Sequence, residues 1–195
     1  MSKSRVIASG SVRIVGGTLR RSRLEVPDAR GLRPTPDRVR ETVFNWLAPV
    51  IEGARCLDLF AGTGALGLEA MSRGAAACVF VERDRNLCAL LEQNVTRLKV
   101  DHAEVRCDDA GSYLSSPAQP FDVVFLDPPF TSNLWTDAAA RLEAGGWLSA
   151  QAFIHVEGPP DAAITLPENW ALHREGQAGT VRYALYRRVG ADPLS

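Results

Sequence analysis

The feature that most constrains this chain is a short apolar run that ends in a glycine-rich turn. The run Cys56–Leu59 has the residue types of a buried strand, and it passes directly into the segment Phe60–Gly67, which holds three glycines. Glycine permits positive φ and a close backbone approach to a ligand, and a helix that follows begins with unpaired N–H groups. The segment therefore predicts a strand, a ligand-binding turn and a helix N-terminus in succession.

Strands and helices continue to alternate after this turn. Apolar runs predict strands at Arg55–Leu59, Ala77–Val81, Ala103–Cys107, Phe121–Leu126 and Ala152–Val156, with an edge pair at Trp170–Arg174 and Val181–Tyr186. Helical spacing predicts helices at Leu66–Arg73, Arg85–Leu98 and Ser132–Leu142, and a short one after Asp109. This alternation is typical of an α/β fold in which helices cover both faces of a mostly parallel sheet.

The residues before this region are predicted to form a separate arm. Val12–Val15, the glycine turn that follows and a second run ending at Pro27 predict a β-hairpin. Thr35 and Pro36 then predict the N-cap and first residue of an amphipathic helix that ends near Pro49. We divide the chain into an N-terminal basic hairpin arm, residues 1–34, and an α/β domain, residues 35–190.

Charge is distributed unevenly along the chain. The net charge is −1, but the first 40 residues hold ten basic and three acidic residues, and the other 155 hold twelve and twenty. A basic arm on an acidic body is typical of proteins that bind nucleic acid, although a merely solvated surface has the same composition. The candidate RNA contacts are Arg13, Arg20, Arg21, Arg23, Arg33, Arg38 and Arg40. For Arg38 and Arg40, ion pairs within the helix are the alternative.

Composition excludes several other classes of protein. With 195 residues, 46% of them hydrophobic, we expect one soluble domain, because no apolar stretch approaches the roughly 20 residues that span a bilayer. The basic start is followed only by the short apolar run Val6–Ala8 and then by glycine and more arginine, so we expect no secretory leader and a cytoplasmic location. The four cysteines lie 22, 10 and 19 residues apart, which fits neither a zinc site nor a redox pair. We expect Cys56, Cys78 and Cys107 to be buried in strands, and no metal to bind.

The glycine-rich turn is compatible with two classes of cofactor. Gly62, Gly64 and Gly67 satisfy the G-x-G-x-x-G pattern of nicotinamide and flavin enzymes. Asp58 favours S-adenosylmethionine instead, because a carboxylate at the strand end attracts the ammonium group of that ligand and repels a pyrophosphate.

Two further strand ends carry carboxylates suited to a nucleoside. Glu82 closes the second strand, where it would accept hydrogen bonds from ribose hydroxyls in either class of cofactor. Asp109, after the third strand, is placed to accept one from an adenine amino group. The alternative for Asp108 and Asp109 is capping of the next helix, which we favour for Asp108.

A second cluster of functional residue types follows the fourth predicted strand. The run Phe121–Leu126 stops at Asp127-Pro128-Pro129-Phe130, at the end of the strand where open α/β sheets bind ligands. The Asp127 carboxylate and the Pro128 carbonyl are suited to accept the two N–H groups of an aromatic amine, while Phe130 stacks on its ring. The nitrogen lone pair then points at a methyl donor. Taken alone, the tetrapeptide is also compatible with a rigid loop beside a core aromatic.

These motifs together resemble those of class I amino-methyltransferases. The residues that carry the resemblance are Asp58, Phe60, Gly62, Gly64, Glu82, Asp127, Pro128, Pro129 and Phe130. Longer segments resemble the bacterial RsmD family of 16S rRNA guanine-N2 methyltransferases over nearly the whole chain. They are residues 13–17, 32–47, 57–70, 145–148 and 169–175.

The resemblance implies a Rossmann-like, mostly parallel seven-stranded sheet, with S-adenosyl-L-methionine as cofactor. It also implies methylation of the N2 amine of one guanine in 16S rRNA, within a small-subunit ribosomal particle, and we expect a monomer. The catalytic residues carried over are Asp127, Pro128, Pro129 and Phe130. The cofactor-binding residues are Asp58, Phe60, Ala61, Gly62, Thr63, Gly64, Glu82, Asp109 and Ala110. Residue patterns alone leave a DNA adenine methyltransferase, a nicotinamide oxidoreductase and a non-catalytic RNA-binding protein as alternatives.

Overall fold

The structure is a computed structural model that describes residues 8–27, 35–130 and 133–190. Its strands are β1 (Ala8–Arg13), β2 (Arg23–Pro27), β3 (Arg55–Asp58), β4 (Ala77–Glu82), β5 (Ala103–Cys107), β6 (Phe121–Leu126), β7 (Leu148–Gly158), β8 (Trp170–Ala178) and β9 (Val181–Arg188). Its helices are α1 (Asp37–Ile51), α2 (Ala65–Ser72), α3 (Arg85–Arg97), α4 (Ala110–Tyr113) and α5 (Trp135–Ala144).

Seven strands form one sheet in the order β5-β4-β3-β6-β7-β9-β8. Strands β3 to β7 run parallel, and β9 and β8 complete the sheet as an antiparallel pair. The predicted α/β fold with a mostly parallel seven-stranded sheet is confirmed. The chain builds outward from β3 through β4 to β5 and then returns to β6 on the other side of β3. The carboxyl ends of β3 and β6 therefore flank a topological switch point, where open α/β sheets bind ligands.

The predicted boundaries change where distant parts of the chain make contact. α1 has Pro36, not Thr35, as its N-cap, and no side chain caps it. The reason is that the Thr35 hydroxyl donates to Glu157, 122 residues away. α1 also continues through Pro49 to Ile51, whose side chain is 3% exposed and extends the buried face of the helix by another turn.

Two hydrophobic clusters cover the two faces of the sheet. One contains the hairpin residues Val12, Ile14, Leu24 and Val26 together with α1 and α2, and the other contains α5 and Trp147. The predicted hairpin is present as β1 and β2, and its apolar face is part of the main core. The predicted domain boundary at residue 34 lies outside the described residues. No described helix is long and apolar enough to cross a membrane.

Three of the four cysteines are buried, and Cys107 is exposed. The expectation that Cys107 lies in the core is wrong, because β5 is an edge strand that the helices cover incompletely. Cys88, which was not assigned to the core, is buried in α3, and its thiol donates to the Glu82 carbonyl at 3.0 Å.

Arg40 is fully buried, so the prediction that it contacts RNA is wrong. Its guanidinium is 0% exposed and forms ion pairs with Asp37 and with Glu69, the latter at 3.3 Å. Its Nε donates to the Thr35 carbonyl at 3.2 Å. Burial lowers the pKa of Arg40, and the charges of Glu69 and Asp37 oppose that shift. The side chain thus links the start of α1 to α2.

Glu69 ties the hairpin to the same site. Its carboxylate is 0% exposed and accepts the backbone N–H groups of Val15 and Gly16, each at 2.8 Å. It also accepts the Nε–H of Arg73 at 2.9 Å. One turn later, the Ser72 hydroxyl accepts the N–H of Leu19 at 2.9 Å. The turn of the arm is therefore held by side chains of α2.

Replacing Arg40 by leucine should lower the free energy of unfolding by about 3 kcal/mol or more, because the buried Glu69 would lose one of its two cations and the Thr35 carbonyl would lose its donor. Arg38→Leu is the matched control, since Arg38 lies on the exposed side of the same helix and should change stability by less than about 0.5 kcal/mol. Chemical denaturation of both variants measures the difference. Equal stabilities would contradict the anchoring role of Arg40.

Candidate active site

A cavity of about 1240 Å³ opens at the carboxyl ends of the parallel strands. It brings together the glycine-rich turn after β3 and the tetrapeptide after β6, which are about 65 positions apart in the chain. The predicted residues that line it are Asp58, Phe60, Ala61, Gly62, Thr63, Glu82, Asp109, Ala110, Asp127, Pro128, Pro129 and Phe130. Gly64 lies one residue behind the lining, as the N-cap of α2.

The turn can take its shape only because of its glycines. Gly64 has φ of 79°, and a Cβ there would lie 2.3 Å from the Leu91 Cδ1 atom. A Cβ on Gly67 would lie 2.3 Å from the Phe80 ring, so this glycine allows α2 to pack closely against β4. The backbone is therefore free to approach a ligand at the N-terminus of α2, as the sequence predicts.

Asp58 lies at the base of the turn, where it lines the cavity although almost all of its surface is buried. It is 2% exposed, and its Oδ2 accepts the N–H of Gly67 at 3.0 Å. This bond satisfies an N–H group in the first turn of α2. Burial raises the pKa of Asp58 to about 7, a shift that the hydrogen bond from Gly67 reduces. A ligand cation at this wall would favour the ionised form.

Glu82 is held in place by the backbone of two loops. One carboxylate oxygen accepts the N–H of Gly62 at 2.8 Å and the other accepts the N–H of Asp84 at 2.8 Å. Each oxygen retains a second lone pair, and the side chain lines the cavity. This geometry suits acceptance of two hydroxyl hydrogen bonds from a ribose.

The sequence favours Asp108 as the N-cap of α4, and the structure shows that this expectation is wrong. Asp109, not Asp108, is the N-cap, and its carboxylate accepts the N–H of Ser112 at 3.0 Å and the Ser112 hydroxyl at 2.7 Å. These bonds lower the pKa of Asp109. Asp108 instead accepts the N–H of Asp109 at 2.9 Å. Both residues line the cavity. Because the pKa of Asp109 is lowered, its carboxylate is ionised at neutral pH.

The tetrapeptide forms the opposite wall of the cavity. Asp127 is half-buried, Pro128 is buried and Pro129 is exposed. Phe130 is 37% exposed, and its ring centroid lies 6.1 Å from that of Trp135. An exposed ring that is braced by a buried one provides a stacking surface at the cavity mouth.

Sequence reasoning missed two polar residues of the cavity, Thr35 and Glu157. Both are buried, and the Thr35 hydroxyl lies 3.0 Å and 3.2 Å from the two carboxylate oxygens of Glu157. A signal for Glu157 was present in the sequence, because it follows the strand predicted at Ala152–Val156 just as Asp127 follows β6. No local signal marks Thr35 as its partner.

Burial raises the proton affinity of both Asp127 and Glu157, and the charge of Glu157 adds to the shift of Asp127. Burial raises the pKa of Asp127 well above its usual value, and the charges of Glu157 and then Asp58 add to the shift. Burial raises the pKa of Glu157 to about 7, opposed by the Thr35 hydroxyl and the charge of Arg40. Hydrogen-bond donors of a substrate would stabilise the ionised carboxylates in this site.

Four of the arginines predicted to contact RNA lie on the hairpin, and all four are exposed. Arg20, Arg21 and Arg23 are exposed, and Arg13 lies directly across the hairpin from Arg23, although it also forms an ion pair with Asp37 at 3.0 Å. Like charges opposite each other destabilise a strand pair unless an anion binds them. Arg38 is exposed on α1, and Arg33 lies outside the described residues. Among the described residues, no group of three or more His, Cys, Asp or Glu side chains could hold a metal ion.

The cavity fits S-adenosylmethionine better than a dinucleotide. Its turn and strand ends carry the carboxylates of Asp58, Glu82 and Asp109, which suit an ammonium group, a ribose and an adenine amino group. A pyrophosphate at the α2 N-terminus would lie against Asp58, whose side chain already caps that helix.

Comparison with known proteins agrees with this assignment. A family described as "Conserved hypothetical protein 95" matches residues 12–187. A protein of Escherichia coli K12 named "Ribosomal RNA small subunit methyltransferase D" is 50% identical over 189 residues, which is 96% of each chain. The chain belongs to the family of ribosomal RNA small subunit methyltransferase D. The Haemophilus influenzae protein of the same name is 46% identical over 184 residues, which cover 92% of this chain and 95% of that protein.

Solved structures show the same architecture. The Escherichia coli protein yhhF superposes with a TM-score of 0.86 at 47% identity, covering 93% of this chain and 100% of that chain. An RNA methyltransferase from Salinibacter ruber, solved with S-adenosyl-L-homocysteine, shares the fold with a TM-score of 0.64 at 21% identity, covering 84% of this chain and 98% of that chain. The resemblance to the RsmD family is confirmed, and the chain is an S-adenosylmethionine-dependent methyltransferase. The nicotinamide alternative is wrong.

Asp58→Asn should stabilise the cofactor-free protein at alkaline pH. Because the folded-state pKa of about 7 exceeds the ordinary value of 3.8, the stability that Asp58 contributes is present below about pH 4 and is lost as pH rises through about 7. The free energy of unfolding of the variant, measured by chemical denaturation, should therefore rise relative to wild type by up to about 1.4 kcal/mol for each pH unit between about pH 4 and pH 7, and level off above that range.

Asp101→Asn, which alters an exposed carboxylate, is the matched control and should follow wild type across this range. A constant offset between Asp58→Asn and wild type at all pH values would contradict the burial of an ionisable Asp58.

Proposed function

We propose that this enzyme methylates the exocyclic N2 amine of one guanine in 16S rRNA of the small ribosomal subunit. The observation that carries the proposal is the position of Asp127 and Pro128, which face the cofactor turn across a single cavity. The names of the relatives that cover nearly the whole chain support ribosomal RNA of the small subunit as the substrate.

The residues of the site orient the amine. The Asp127 carboxylate and the Pro128 carbonyl accept its two N–H groups, so that the lone pair turns out of the ring plane. Phe130 stacks on the base, and the two consecutive prolines fix the direction of the backbone. The cofactor supplies an electrophilic methyl group on a sulfonium. Asp127 can also accept the proton that the nitrogen loses when it is methylated.

The cofactor is proposed to lie over the α2 N-terminus. Asp58 would hold the ammonium group, Glu82 the ribose hydroxyls and Asp109 the adenine amino group. Phe60, Ala61, Thr63 and Ala110 provide the remaining surface of the cavity around it.

The arm is proposed to bind the RNA backbone. Phosphates are contacted by Arg13, Arg20, Arg21, Arg23 and Arg33 of the arm and by Arg38 of α1. The target guanine meanwhile leaves its stack and enters the cavity beside Phe130. Eversion of a base costs a few kcal/mol, which stacking and phosphate contacts offset. A basic arm outside the catalytic cavity suits a large shaped target, so we expect a ribosomal particle as the substrate. We also expect the enzyme to act as a monomer in the cytoplasm.

Asp127→Ala should abolish transfer without weakening cofactor binding. Methyl incorporation into ribosomal RNA should fall by at least about 100-fold, because the amine loses its charged acceptor. The Kd for S-adenosylmethionine, measured by calorimetry, should change less than about twofold. Asp161→Ala, at an exposed carboxylate, is the control. Undiminished transfer by Asp127→Ala would refute its assigned role.

Charge reversal in the arm should weaken RNA binding in a salt-dependent way. In the variant Arg20→Glu, Arg21→Glu, Arg23→Glu, the slope of log K against log salt should lose about 0.7 to 0.9 for each phosphate contact removed. The matched control reverses three exposed arginines of the α/β domain, Arg55, Arg106 and Arg174. Equal losses in the two variants would indicate a general effect of net charge and not an RNA-binding arm.

A further inference from the structure

The carboxyl end of β7 carries a buried carboxylate that the proposed mechanism does not use. Glu157 is 3% exposed and lines the same cavity as Asp127. Leu126 of β6 pairs in parallel register with Val156 of β7. The next residues, Asp127 and Glu157, therefore stand side by side on neighbouring strands, about 4.8 Å apart at the backbone. The cavity presents two adjacent hydrogen-bond acceptors.

Neighbouring groups fix the position of Glu157. The Trp135 indole donates to the Glu157 carbonyl at 2.8 Å, and the Thr35 hydroxyl donates to the carboxylate. The Thr35 carbonyl is in turn held by Arg40 at 3.2 Å. A carboxylate has about four acceptor positions, so one hydroxyl donor leaves capacity for a ligand in the cavity.

Glu157 is not needed to balance the charge of Arg40 or of His155. Arg40 is already paired with Asp37 and Glu69, and it contacts Glu157 only through Thr35. His155 lies 3.8 Å from the Glu157 carboxylate, and burial lowers the pKa of His155 to about 4, so it is neutral at physiological pH. A buried carboxylate without its own cation is costly to the fold.

The three bases with an exocyclic amine differ in the ring atom beside it. The amine of adenine is next to N1 and that of cytosine is next to N3, and both of these atoms are hydrogen-bond acceptors. The amine of guanine is next to N1–H, which is a donor. A second carboxylate beside the amine-binding residue therefore attracts guanine and repels the other two bases, because an everted base is read along this edge.

We propose that Glu157 is the residue that selects guanine, by accepting its N1–H while Asp127 accepts the N2 amine. Two adjacent donors of the base then meet two adjacent acceptors of the protein. Thr35 and Trp135 are positioning residues, since they act through Glu157. The inference rests on the proposed function, because it assumes that the reacting amine belongs to a nucleobase.

The wild-type enzyme tests this assignment without any variant. The methylated position in ribosomal RNA is mapped first, and RNA is then assembled by ligation with guanine or 2,6-diaminopurine at that position. Both bases carry the 2-amine, but N1 of 2,6-diaminopurine is an acceptor. We expect kcat/KM to be at least about 100-fold lower for 2,6-diaminopurine, because a site built around a substrate N–H rejects the analogue that lacks it. Equal values would overturn the proposal.

Glu157→Gln isolates the carboxylate from the other differences between the two bases. A glutamine amide can donate to N1, so the ratio of kcat/KM for guanine to that for 2,6-diaminopurine should fall by at least about tenfold. Glu168→Gln, at an exposed glutamate, is the control and should leave the ratio unchanged. The Kd for S-adenosylmethionine verifies that Glu157→Gln is folded.

The outcomes separate this inference from the proposed function. If the wild-type enzyme methylates guanine N2 and Glu157→Gln keeps the wild-type ratio, the role of Glu157 is refuted and the proposed function stands. If the wild-type enzyme methylates adenine or cytosine in ribosomal RNA, both are refuted.

Discussion

The buried guanidinium of Arg40 is the contact on which the arrangement of this protein depends. It pairs with Glu69, which accepts the backbone N–H groups of Val15 and Gly16 in the hairpin turn. On its other side it holds the Thr35 carbonyl, and Thr35 donates to Glu157 in the cavity. One chain of hydrogen bonds thus runs from the arm to the active site. The arm that binds RNA in our proposal is positioned relative to the reacting base by a network whose central ion pair, Arg40 with Glu69, is fully buried.

The cavity collects carboxylates that the fold alone does not favour. Asp58, Asp127 and Glu157 all lie at carboxyl ends of parallel strands, and burial raises the pKa of each. A cofactor ammonium group and the N–H donors of a base are the partners that would stabilise their ionised forms. Stability given up in the empty enzyme is regained when both ligands bind, because ligands that bind only the folded state stabilise it.

Sequence patterns predicted the strands and turns that are specified by residues close together in the chain. β5 and β6 have the predicted bounds, and the glycine turn and the Asp127 tetrapeptide lie at strand ends because apolar periodicity and glycine positions specify them. Contacts between distant segments could not be predicted. Arg40 shares its helix with Arg38, and only the packing of α1 on Glu69 buries one and exposes the other. Thr35 has the pattern of an N-cap, yet its hydroxyl is used 122 residues away. Cys107 has the pattern of a core residue, but its strand lies at the edge of the sheet.

The central claim is that this site transfers a methyl group to guanine N2 in small-subunit ribosomal RNA. The most direct measurement incubates the enzyme with isotopically labelled S-adenosylmethionine and small-subunit particles that lack the modification, and then identifies the labelled nucleoside by mass spectrometry after digestion. Our account predicts a single labelled product, N2-methylguanosine. Label in N6-methyladenosine, in protein, or in no product would contradict it.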